Sequence, residues 1–364
     1  MRDKLKNYFT IPDTRRMIYD YIRVLSCMGI ICLHTTGDRS DVVGVFFETV
    51  SRITLPTFVL LSGVLVLGNS KIEPYSKFYG RRFVKIVVPY LIYGAVYIGW
   101  VHAGHTIPEA ITLDKLIAVV KSAPKSVILN FMDAPYFHLW FMLMIIGFYV
   151  VAPFMQRGLR ALSDNDLKYL FVVIIVLFAA YDYLPIIGLK LGINNFFRDW
   201  IIYFIAGYIL SRFDTKKTYI FFSVMGILSA ILMFLWKLYK PELLSDGFYD
   251  LAPHMMMATC GFYSLMMLAE QFITKCKLLN WIIMKVSKYT FSIYMIHGII
   301  LVNYGYSHPG YALTFKGTIT EVLVVFIRCF IFAVIFDNLI TFNIQRVIYL
   351  VNNCLYKIIK PHES

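Results

Sequence analysis

The sequence predicts an all-α fold: a polytopic membrane helical bundle of about ten transmembrane helices with both termini cytoplasmic. Three observations predict it. Hydrophobic residues make up 59% of 364 positions and charged residues only 16%, with a mean hydropathy of +0.66, which soluble domains do not show. Apolar runs long enough to cross about 30 Å of hydrocarbon recur along the whole chain. Clusters rich in Lys and Arg follow every second run, as expected for loops retained on the cytoplasmic side. The net charge of +13 would suit a nucleic-acid binder, but the basic residues stand in short clusters between apolar runs. They build no contiguous soluble face, so no nucleic-acid partner is expected and the lipid bilayer is the surrounding medium.

Taken in order, a basic start over 1–16 (Arg2, Lys4, Lys6, Arg15, Arg16) leads into the first apolar run with no small-residue cleavage site after it. Expected spans lie at 17–36, 44–68, 84–101, 138–156, 168–187, 198–213, 218–237, 253–273, 286–304 and 319–342. The region 104–136 is moderately apolar with scattered charges and prolines. It is expected to be an outer loop with room for a re-entrant or interfacial helix, and 346–364 a cytoplasmic tail. No internal repeat or low-complexity linker interrupts the chain, so 1–364 is read as one domain. Expected cytoplasmic loops hold Lys71, Lys77, Arg81, Arg82 and Lys85, then Arg157 and Arg160, then Arg212, Lys216 and Lys217, then Lys275, Lys277, Lys285 and Lys288. The six cysteines have no metal-ligand spacing and none falls in an expected outer loop, so neither a disulfide framework nor a metal site is predicted.

The first span carries charges that a lipid-facing helix would not. Arg23 and His34 are eleven positions apart, a rise of about 16.5 Å and an angular offset of about 20° on a helix, so both look out from one stripe. Asp20, three residues before Arg23, is placed to pair with it. The expected topology sets Arg23 near the cytoplasmic end and His34 near the outer end. It also sets Glu48 and Arg52, spaced i, i+4, level with His34, and His138 at the outer start of the fourth span. Each residue has an ordinary structural role as well: a snorkelling arginine at 23, an interfacial histidine at 34, an ion pair at 48 and 52, an aromatic belt at His138 and Trp140. His297 lies near the middle of its span, where an inward polar contact is expected.

Five stretches in order resemble the acyltransferase-3 family of integral membrane acyltransferases. They are the D-x-x-R-x(10)-H pattern of Asp20, Arg23 and His34, RITLPTFVLLSGVLVL from Arg52, FYGRRFVKIVVPYL from Phe78, HLWFM from His138, and FSIYMIHGII from Phe291. The resemblance is to members without a fused soluble domain, which implies transfer of an acyl group, commonly acetyl from acetyl-CoA, to a hydroxyl of a surface polysaccharide or lipid-linked sugar. It implies a bacterial cytoplasmic membrane, no permanently bound cofactor, and acyl-CoA and a glycan or glycolipid as partners. On that reading His34 is the general base, Arg23 binds phosphate or polarises the thioester, and Asp20 holds Arg23. Arg81, Arg82 and Lys85 attract the phosphates of CoA, and His138, Trp140, Arg52, Glu48 and His297 are candidates for the acceptor side. The alternative is a transporter or flippase for a lipid-linked sugar or small anion, against which stands the lack of an inverted repeat.

Overall fold

A computed structural model of the chain describes residues 16–36, 39–102, 136–189, 199–240, 251–305 and 314–359. Among them every regular element is helical and none is a strand. In order, the helices are α1 (Ile18–Thr36), α2 (Val42–Arg52), α3 (Thr54–Val66), α4 (Tyr75–Arg82), α5 (Val88–His102), α6 (Trp140–Ala161) and α7 (Asp164–Tyr183). There follow α8 (Ile201–Arg212), α9 (Lys216–Tyr239), α10 (Pro253–Ile273), α11 (Lys277–Ser287), α12 (Thr290–Ile300), α13 (Phe315–Phe336) and α14 (Phe342–Ile359). The expected outer loop at 104–136 lies outside the described residues except for Tyr136, as does most of the basic start.

All ten expected spans are helical, but they differ in kind. Six stretches are long and apolar enough to cross a membrane by length and composition: Val42–Val66, Tyr75–Val101, Trp140–Ala161, Asp164–Ile187, Lys216–Tyr239 and Phe315–Val351. Ile201–Arg212 and Thr290–Asn303 are apolar but shorter. The remaining two, α1 and α10, are long helices whose hydropathy is lowered by Asp20, Arg23 and His34 in one and by His254, Glu270 and Gln271 in the other. These two are also heavily buried, with Asp20, Ser26, His254 and Ser264 all inside. Burial runs opposite to that of a soluble protein. Only 17% of the apolar window of Asp164–Ile187 is buried, against 67% of the less apolar Val42–Val66. The most apolar helices present Val172, Val176, Phe221 and Ile231 outward, which only a hydrocarbon surrounding makes favourable.

The chain divides into two compact units. The first comprises Met1–Ile72, Phe154–Thr290 and His308–Leu323, and the second Glu73–Pro153, Phe291–Ser307 and Val324–Ser364. In the first, close helix crossings rest on small residues, since nothing but packing and hydrogen bonding draws apolar helices together in lipid. A side chain at Gly63 of α3 would overlap the Phe204 carbonyl of α8, and one at Gly226 of α9 would come within 2.5 Å of the Gly261 Cα of α10. Loop ends are capped from the sequence: Thr215 accepts from Thr218 N–H at 3.2 Å, and Ser163 with Asp166 forms a reciprocal capping box.

In the second unit, Tyr90, Tyr93 and Tyr97 form one fully buried stripe of α5 at helical spacing. Between α4 and α5 the helix widens into a π turn, Phe83–Val87, where Val88 N–H reaches back five residues to the Phe83 carbonyl. Pro89 explains the widening. It has no N–H to give the Lys85 carbonyl, and its ring would crowd that carbonyl in a regular helix.

Candidate functional site

In the first unit α1 is unbroken from Ile18 to Thr36, so Arg23 and His34 do share a stripe, about 16.5 Å apart along the axis. Asp20 is 1% exposed and takes two partners: Arg23 Nη1 at 3.3 Å and the Ser287 hydroxyl, which donates at 2.6 Å. A carboxylate at such depth needs both. Arg23 is only half buried, its side chain 36% exposed. One turn below, Cys27 Sγ lies 3.6 Å from the Thr290 carbonyl.

His34 is half-buried towards the other end of α1. Arg52 of α2 is close enough for its charge to act on the imidazole. Arg52 is itself held by Glu48, Nε to Oε1 at 2.8 Å, and Glu48 accepts a second cation, Lys237 Nζ of α9, at 2.5 Å. Glu48 is 1% exposed. Two cations on one buried carboxylate leave a net positive charge beside His34, in surroundings where water screens it little. A base and a cation side by side can accept a proton from a nucleophile and balance negative charge forming next to it.

Outside the membrane-spanning stretches, the first unit is tied at both ends of this face. Arg16, just before α1, makes hydrogen bonds of 2.8–3.1 Å to Glu270 of α10 and Asp214. Burial works against the charge, but the Glu270 hydrogen bonds and the Tyr19, Glu270 and Asp214 charges raise the guanidinium above its ordinary value. At the far end, Arg39 holds Asp41 bidentately at 2.7 Å and, against slight desolvation, keeps that carboxyl below the usual range. Asp41 in turn caps α2 through Gly44 N–H.

The second unit gathers a different polar cluster. His138 and His297 meet with ring centroids 4.4 Å apart and planes tilted by 59°, at 2% and 0% exposure, among Tyr97 and Tyr294. His297 Nδ1 lies 2.5 Å from the Tyr294 carbonyl; since a carbonyl only accepts, Nδ1 carries the proton and Nε2 is the basic nitrogen. His138 Nε2 is 3.3 Å from both the Met295 carbonyl and the Tyr97 hydroxyl, and the Tyr294 hydroxyl donates to the His138 carbonyl at 2.5 Å. Gly298 makes room for this, because a Cβ there would stand 2.7 Å from His138 Cε1. Trp140, two residues on, is 40% exposed and does not share the burial of His138. The arginines differ as well. Arg81 is ion-paired with Glu73, and Arg82 lies over the rings of Phe78 and Tyr149 at 5.3 and 4.8 Å. Lys85 is exposed in the π turn.

Several polar residues escaped the sequence reading. Lys237 and Ser287 sit far along the chain from the residues they bond, and nothing local marks them. Asp337 was more visible, as an acid inside a long apolar helix. It is 1% exposed in a second π turn, Asp337–Thr341, and accepts from Tyr93 at 3.0 Å and Ser292 at 2.6 Å. Among the described residues no group of three or more His, Cys, Asp or Glu is arranged to hold a metal ion.

A family model described as an acyltransferase domain matches residues 18–337, from the first residue of α1 to the first residue of the π turn Asp337–Thr341. Among curated proteins and solved structures, nothing matches the chain.

Proposed function

The chain belongs to the acyltransferase-3 family of membrane acyltransferases, and from that premise we propose that it moves an acetyl group from cytoplasmic acetyl-CoA to a hydroxyl of a surface polysaccharide or lipid-linked sugar. The observation that carries this reading is α1: one continuous helix with an arginine anchored by Asp20 near one end and, on the same stripe, a histidine near the other with a cation beside it. Arg23 takes a phosphate of the donor, about 16.5 Å along α1 from His34, and Arg81, Arg82 and Lys85 supply further charge for the CoA phosphates. The acceptor oxygen attacks the thioester carbonyl carbon while His34 removes its proton. Arg52 balances the oxyanion that forms, with Glu48 and Lys237 fixing its position. Collapse breaks the carbon–sulfur bond, and the imidazolium returns the proton to the departing CoA thiolate, so free CoA and the O-acetyl product leave. His138, His297 and Trp140 belong to the acceptor side of this scheme. The membrane in question is the bacterial cytoplasmic membrane.

The test is acetyl-CoA consumption by the full chain in lipid, with cell-envelope extract as acceptor. His34→Ala is expected to lower turnover roughly 10²- to 10⁴-fold at unchanged thermal stability, and Arg23→Ala to abolish it at the same donor concentration when compared at matched folded fraction, since Asp20 loses a partner. A wild-type chain that neither binds nor consumes any acyl-CoA would sink the assignment.

A further inference from the structure

Within the first unit, α7, α8 and α9 border a groove of about 530 Å³. Its trough is apolar, formed by Phe171, Ile175 and Val176 of α7, Ile209 of α8, and Phe221 and Phe222 of α9. Lys168 and Lys217 also line it. Phe171 meets Phe222 edge-on at 5.4 Å, and at the start of α7 Asp164 pairs with Arg212 and Lys168 lies over Phe213, just before α9, so α7 and α9 begin at one level. Both lysines therefore stand at the head of the groove, and the trough runs eight residues beyond Lys168 to Val176, about 12 Å.

Two observations say what such a groove would hold. Val172, Val176 and Phe221 are 56%, 57% and 54% exposed, an apolar wall that hydrocarbon satisfies and water does not. The carboxylates near the head are engaged elsewhere: Asp164 with Arg212, Asp166 with Ser163, Asp214 with Arg16 and Tyr219. Lys217 takes part in none of the ion pairs among the described residues, and Lys168 Nζ rests 5.6 Å over the Phe213 ring. The head thus offers two ammonium groups with no carboxylate bonded to either, above a trough sized for chain carbon.

We propose that this groove is a binding site for one anionic phospholipid, its phosphate between Lys168 and Lys217 and an acyl chain along α7 and α9. A zwitterionic headgroup brings its own cation to the same place and is disfavoured there. The site is separate from the stripe on α1 and does not depend on the acyl-transfer reading.

Native mass spectrometry of the detergent-solubilised full chain, titrated with phosphatidylglycerol or phosphatidylcholine, tests it. Phosphatidylglycerol is expected to be retained as a single adduct, favoured over phosphatidylcholine by roughly ten- to thirtyfold, as two lysines at a headgroup would give. Lys168→Gln/Lys217→Gln should erase that preference at unchanged lipid-free melting temperature, since both side chains lie at the open end of the groove. Val172→Trp/Val176→Trp, which keeps the lysines and fills the trough, should lower retention of both lipids. Equal retention of the two lipids by the wild-type chain, or a preference that survives loss of both lysines, would overturn the assignment.

Discussion

At the scale of single residues, Glu48 holds two cations, Arg52 on its own helix α2 and Lys237 of α9, and its i, i+4 spacing to Arg52 exposes only half of that arrangement. The partner at Lys237 is 189 positions away and carries no local signature. Removing the carboxylate leaves two partly buried cations facing one another, whereas removing either cation leaves one complete pair. Glu48→Gln is therefore expected to destabilise by about 3 kcal/mol or more, and Lys237→Gln by less, as read from thermal unfolding of the detergent-solubilised chain. A larger loss from Lys237→Gln would show that Arg52 alone does not balance the buried carboxylate. Asp20 follows the same logic. Arg23 was legible from its spacing, while Ser287 came into reach only through the fold.

Among the elements, the informative contrast is between hydropathy and burial. Helices α1 and α10 are less apolar than their neighbours because neighbours surround them, so polar groups on them meet partners and not lipid. Helices α7 and α9 are the reverse, apolar because lipid is their surroundings. Crossings between buried and lipid-facing helices then depend on small residues. Gly226→Val is expected to force α9 from α10 and cost about 1–3 kcal/mol, seen as a lowered melting temperature, while Gly147→Val in α6, where a Cβ meets open space, should change it little. Had the two substitutions equal effects, helix propensity and not close packing would be the cause. The glycines could be counted in the sequence, but which ones face a partner could not.

For the whole molecule, alternating basic loops lead us to expect both termini on the cytoplasmic side, and an exposed cysteine among the described residues makes this measurable. Cys276, between α10 and α11, is exposed, and Cys27, Cys32, Cys260 and Cys329 are buried. In a Cys354→Ser background, a membrane-impermeant maleimide is expected to label Cys276 in inside-out vesicles and to leave intact cells unlabelled; labelling of intact cells would reverse the topology. By itself the sequence determined the all-helical membrane class, where the apolar helices lie along the chain, and the stripe of Asp20, Arg23 and His34. Those depend on composition and on spacing within one helix, which are local quantities. The tertiary structure alone decided that α1 and α10 are enclosed, that Lys237 completes the Glu48 cluster beside His34, and that His138 is buried against His297 while Trp140 is exposed. Each of these joins residues from separate helices, and helices in lipid are placed by side-chain packing and hydrogen bonding across the bundle, which no spacing along one helix encodes.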